Sequence, residues 1–254
     1  MIIMAPFQSV PRLSRIACAL LGAGMLLFEA LAHASSTARD EYDSVLIRTA
    51  DRLHGETLFG NCARCHGISG AGARDGSVPA IAGQHFRVLA RQLVDYRNDK
   101  RWDARMEHFA DTPYLIATQD VADVADYVSS LRPTGPGVTG DGEQLVHGAS
   151  VYAQRCAICH GPQGEGDRLK AYPRLAGQHY PYLLRQLHDG VEGRRPNFSA
   201  AHVKLLARMN RDDYVGLADY LSRIAPPVSS AILTGAGSVR RDTSVTQERA
   251  NQTK

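Results

Sequence analysis

An all-α fold made of two similar domains in tandem is what this sequence predicts, and three observations carry the prediction. Apolar residues recur at helical spacing in corresponding stretches of each half. No stretch reads as an alternating strand. The two halves also repeat one another at a fixed offset, the mark of an internal duplication. His66 and His160 lie 94 positions apart, as do Gly83 and Gly177, His85 and His179, Gln92 and Gln186, and Arg101 and Arg195. The repeat sets one domain at 51–133 and the other at 142–227, a division that 254 residues accommodate.

Residues 1–34 read as a secretory leader. Arg12 and Arg15 precede an apolar run from Ile16 to Leu31 broken only by Glu29, and Ala32-His33-Ala34 offers a small-residue cleavage site. The alternative, an uncleaved anchor, is disfavoured by the short run and the carboxylate inside it. A short extension, 35–50, leads into the first domain. Each domain then repeats one helical order. A first helix spans about 56–65 and, in the copy, 149–159. A middle helix follows Ala-Gly-Gln-His, with Phe86, Leu89, Leu93 and Tyr96 on one face and Tyr182, Leu183 and Leu187 in the copy. The last helix, about 119–131 and 211–224, carries Val121, Val124, Ala125 and Val128, then Tyr214, Leu217, Ala218 and Leu221. Residues 134–141, rich in Pro and Gly, form the connector. The polar, aperiodic stretch from 228 onward reads as a disordered tail. The net charge of +3 gives no ground for nucleic-acid binding.

The chemistry sits at the end of each first helix. Cys62-Ala63-Arg64-Cys65-His66 and Cys156-Ala157-Ile158-Cys159-His160 are Cys-x-x-Cys-His runs, the attachment pattern of c-type haem. Two thiols on one helical turn reach the two vinyl groups of one porphyrin, and the histidine after them faces the iron as its proximal ligand. A lone Cys-x-x-Cys would also serve a redox dithiol or half of a zinc site, but here each pair is followed at once by His-Gly and no other Cys pair is present to complete a zinc tetrahedron, Cys18 falling in the leader. Two covalently bound haem c groups are therefore expected. Such haem is attached outside the bacterial cytoplasm, which agrees with a leader and places the chain in the periplasm.

The whole pattern resembles the dihaem cytochrome c4 family, tandem class I cytochrome c domains. The matching features are the two Cys-x-x-Cys-His-Gly motifs, the Pro-x-x-Ala-Gly-Gln-His segments at 79–85 and 173–179, the Gln-Leu of each middle helix, and the Ala-Asp-Tyr of each last helix. The resemblance implies a one-electron shuttle rather than an enzyme. It also implies that the carbonyls of Pro79 and Pro173 accept the proximal imidazole N–H, and that each iron takes a distal Met from a loop before the last helix. Here the sequence departs from the family. Counting back from Met209 reaches His202, and the 94-residue offset pairs His202 with His108, whereas Met106 falls opposite Ala200 and Met209 opposite Leu115. Histidine at His108 and His202 is thus the expected distal ligand in both domains, with Met106 as the alternative in the first. Imidazole favours ferric iron where thioether favours ferrous, so a lowered potential is expected at one haem at least.

His85 and His179 read as structural groups near the haem edges, and His54 and His147 as surface or capping residues. Arg87, Arg91, Arg101, Arg185 and Arg195 are candidates to pair haem carboxylates, and Trp102 to pack against a ring. Expected partners are periplasmic or membrane-bound redox proteins (an oxidase, dehydrogenase or reductase), with association at a membrane surface also open. The competing class is a dihaem oxidoreductase resembling a thiosulfate dehydrogenase or a peroxidase, or an electron-accepting subunit of a dehydrogenase. The first resemblance needs a distal Cys, which the motifs leave no thiol to provide; the second needs an open iron position.

Overall fold

The computed structural model describes residues 37–111 and 113–226. The expected leader and the tail from 228 lie outside the described residues. Helix α1 covers 37–46, followed by α2 (Arg52–His66), α3 (Phe86–Arg97), α4 (Ala104–Ala110) and α5 (Thr118–Ser130). The second body contains α6 (Leu145–Arg155), α7 (Ala157–His160), α8 (Tyr180–Val191), α9 (Ala200–Leu206) and α10 (Arg211–Arg223). Among the described residues there is no strand, only one isolated bridge between Asp167 and Tyr172.

Each body is built on a crossing of its first and last helices. Helix α2 starts earlier than its apolar pattern implies because the Asp51 carboxylate caps it, accepting from the amides of Leu53 and His54. It then packs on α5, burying Phe59 against Val121, Val124 and Ala125. The ring of Phe59 lies 5.4 Å from that of Tyr127, and in the copy Tyr152 lies 5.7 Å from Tyr220. Glycine makes this crossing possible. A Cβ on Gly55 would stand 2.1 Å from the carbonyl oxygen of Asp123, and one on Gly148 would stand 2.0 Å from that of Gly216.

The extension at 35–50 does more than lead into the first domain. Tyr42 and Val45 of α1 are buried in its core, Tyr42 Oη donates to the Arg87 carbonyl, and Arg97 pairs with Glu41. The connector likewise packs on the second body: the Asp219 carboxylate accepts from the amides of Gly140 and Gly142, at 2.8 Å each.

The two bodies are clasped by the duplicated Gln-His of Ala-Gly-Gln-His. Gln84 accepts from the Arg174 amide and donates to its carbonyl, both at 2.9 Å. Gln178 does the same to Ala80, at 2.9 and 2.8 Å. Each side chain thereby mimics a strand pairing with the other domain. His85 Nε2 bonds the Glu165 carbonyl at 2.8 Å and His179 Nε2 bonds that of Ala71 at 2.9 Å. These histidines are structural, as the sequence implies, but they hold the domain interface.

Candidate functional site

Both Cys-x-x-Cys-His motifs open onto one cavity of about 1270 Å³ between the bodies, lined by Cys62, Cys65 and His66 from one and by Cys156, Cys159 and His160 from the other. The first motif ends a continuous helix, α2. The second is split, because α6 stops at Cys156 and the short α7 carries the histidine.

Each proximal imidazole is fixed the same way. His66 Nδ1 lies 2.9 Å from the carbonyl oxygen of Pro79, and His160 Nδ1 lies 2.9 Å from that of Pro173. A carbonyl only accepts, so Nδ1 carries the proton and Nε2 presents its lone pair. The loops bearing these prolines are pinned in turn: Gly70 O accepts from the amides of Ile81 and Ala82, and Gly164 O from those of Leu175 and Ala176. Burial lowers the pKa of His66 and of His160, keeping both imidazoles neutral, as ligation requires. Burial pushes the thiols of Cys62 and Cys156 up to about 11, so neither is a thiolate nucleophile.

The distal side departs from the expectation of a loop. Short helices carry the candidates, and their register differs from that of the sequence repeat. Asp103 caps α4 through the amides of Arg105 and Met106, and Ser199 caps α9 through that of His202. The caps are 96 positions apart, so Met106 holds the helical position that His202 holds in the copy. Met106 and Phe109 line the cavity in the first domain, and His202 and Leu205 line it in the second. His108 does not line it. Two residues along a helix is about a half-turn, and His108 points away, its ring 5.2 Å from Phe109 and 5.1 Å from Tyr114. The pairing of His108 with His202 is corrected accordingly. Domain 2 spends two extra residues between Arg195 and its distal helix, and domain 1 spends its extra residues after, so the offset is 94 at Arg101 and Arg195, 96 at the distal-helix caps and 93 at the caps of the last helices.

In the second domain the rings of His160 and His202 face across the cavity with centroids 6.4 Å apart. Two imidazoles sharing one metal at the ~2 Å nitrogen distance usual for histidine would stand roughly that far apart. Burial, with His160 and Arg195 nearby, brings His202 down to about 4, leaving it neutral. The remaining wall is largely apolar, with Leu89, Leu93 and Val128 in one half and Leu183, Leu187 and Leu221 in the other. Two vinyl-reactive thiol pairs, oriented nitrogen donors and an apolar slot in each half fit the porphyrins that the motifs imply.

Of the arginines proposed for haem carboxylates, Arg91, Arg101, Arg185 and Arg195 line the cavity and Arg87 does not. Arg91 stacks over Tyr42, 3.8 Å to its centroid, and Arg185 donates to the Ser77 carbonyl. Trp102 stands at the rim, 56% exposed, with Nε1 donating to the Asp99 carbonyl. His54 and His147 bond Asp123 at 2.8 Å and Asp213 at 2.7 Å. Tyr182 and Asn197, which no motif marks, join the polar edge of the cavity.

The family model for cytochrome c matches residues 53–132 and 145–223. The chain belongs to the cytochrome c family. Several of its relatives there are cytochromes c4. The cytochrome c4 of Azotobacter vinelandii is 31% identical over 192 residues, covering 67% of this chain and 88% of that protein. The crystal structure of reduced recombinant cytochrome c4 from Pseudomonas stutzeri superposes with a TM-score of 0.63 at 27% identity, covering 69% of this chain and all of that one. A protein of Stutzerimonas stutzeri described as a thiosulfate dehydrogenase electron acceptor is 28% identical over 170 residues, covering 64% of this chain and 78% of its own length. Two covalently attached haem c groups, one per domain, follow for a dihaem cytochrome c4 with both motifs intact.

Proposed function

We propose that this cytochrome is a periplasmic one-electron carrier whose two irons are ligated differently: His66 and Met106 in the first domain, His160 and His202 in the second. The bound haems supply a ferric/ferrous couple. The protein's part is to fix the proximal imidazoles through Pro79 and Pro173, to present one distal donor to each iron, and to exclude water with an apolar wall. With both axial positions taken, a substrate has no place to coordinate, which favours carrier over enzyme. The facing rings of His160 and His202 carry the reading for domain 2; the shared helix position of Met106 and His202 supports it for domain 1.

Thioether raises an iron potential and a second imidazole lowers it, so electrons enter at domain 2 and leave at domain 1. The partners are redox proteins of the periplasm or its membrane: a dehydrogenase as donor, as the acceptor role of one relative supports, and an oxidase or reductase downstream. No helix among the described residues is long and apolar enough to cross a membrane; the leader, cleaved after about Ala34, accounts for export. Low-temperature electron paramagnetic resonance and near-infrared magnetic circular dichroism of the oxidised protein test the ligands. One Met–iron charge-transfer band and one bis-imidazole signal are expected. Two Met bands, or none, would overturn the assignment.

A further inference from the structure

Two guanidinium groups, one from each domain, meet inside the interface, and among the described residues neither forms an ion pair with a carboxylate. Arg101, in the turn after α3, is buried. It donates to Gln92 Oε1 at 2.6 Å in its own domain, and across the interface to Tyr182 Oη at 2.6 Å and Gln186 Oε1 at 2.9 Å. Arg195, its counterpart in the repeat, donates across the interface to Gln92 Oε1 at 3.0 Å. The exchange is reciprocal, since the arginine of each domain holds the middle-helix glutamine of the other. The described hydrogen-bond partners of both guanidiniums are neutral.

The cluster is also incomplete. Arg195 Nε and Asn197 Oδ1 are buried without a hydrogen-bond partner, although Asn197 Nδ2 reaches Asp95 at 2.8 Å. Buried polar atoms left unpaired call for an explanation, and a buried cation without an ion-pair partner is costly to keep. Burial brings Arg195 down to about 9, still charged at neutral pH. Both arginines line the haem cavity. Each porphyrin brings carboxylates, the anions that a planar guanidinium takes most readily.

Building on the two-haem reading, we propose that Arg101 and Arg195 form one anion clamp shared by both haems, binding porphyrin carboxylates from the two domains and holding a positive field that raises both reduction potentials together. A fixed cation opposes the extra positive charge of ferric iron, and in a low-dielectric interior that influence reaches beyond one domain. Gln92, accepting from both arginines, sets their spacing.

Potentiometric titration of the mature holoprotein tests this in R195Q, R195K and Q92E, each haem followed by its own absorption changes. R195Q is expected to lower both midpoints, R195K to restore them, and Q92E, whose carboxylate neutralises the pair, to lower both again. A shift at one haem alone, no shift, or a Lys variant as low as the Gln variant would overturn the clamp. If R195Q does not accumulate with two haems, Q92E decides by the same criteria. Axial-ligand spectra of the same samples separate the two readings: unchanged spectra with unmoved midpoints remove the clamp and leave the carrier standing.

Discussion

Removing the Gln178 side chain tests whether the two domains behave as one body. In Q178A two hydrogen bonds across the interface vanish, Ala80 N–H to Gln178 Oε1 and Gln178 Nε2–H to the Ala80 carbonyl. The same oxygen also accepts from the amide of His179. A protein hydrogen bond contributes about 1 kcal/mol net, and a donor or acceptor left dry costs about 1–3 kcal/mol. The expected loss is therefore about 2–4 kcal/mol. Q84A should lose a similar amount, because Gln84 makes the matching pair with Arg174. Equilibrium guanidinium unfolding of the holoprotein measures it, with haem absorbance and far-ultraviolet dichroism recorded together. A lower midpoint with a broadened or split transition is expected, as the domains cease to unfold together. Q178E keeps the acceptor but sets a carboxylate oxygen against the Ala80 carbonyl, so it should lose at least as much as Q178A. A change below about 0.5 kcal/mol in Q178A, within what an unremarkable surface substitution gives, would refute the clasp.

Three further outcomes are expected. H202M should convert the second iron to the ligation of the first and raise its midpoint towards that of haem 1; a midpoint that stays put would show that His202 does not reach the iron. G148A forces a Cβ to within 2.0 Å of the Gly216 carbonyl at the α6–α10 crossing, and should cost about 1–3 kcal/mol as overpacking does, read as a fall in melting temperature. Asp219 predicts the acid limit. Burial alone would raise its pKa, but Arg223 and the amides of Gly140 and Gly142 more than offset this and hold it below the usual carboxylate range. Its contribution is thus complete above about pH 4 and disappears as pH falls through the lower folded value. D219N should be less stable at neutral pH and show a shallower acid decline in unfolding midpoint; an unchanged slope would discount the carboxylate.

What the sequence determined by itself was whatever depends on neighbours along the chain. The thiols and histidine of each attachment motif share one helical turn, so spacing alone makes them a haem site, and the periodicity of the last helices reflects a core face that must be apolar. The 94-residue repeat revealed two domains because duplicated helices preserve their length. The tertiary structure decided what depends on register and on contacts between domains. His108 matches His202 in the repeat, yet domain 2 inserts two residues before α9, so Met106 and not His108 holds the helix position of His202 and lines the cavity; a helix read two positions out of register presents the opposite face. Gln84 and Gln178 read as family markers, and only folding shows each one gripping the other domain's backbone. Arg101 and Arg195 read as two of five scattered cations; the interface brings them together, because each reaches for a glutamine of the other domain, 85 and 103 residues away, a proximity that no local pattern encodes.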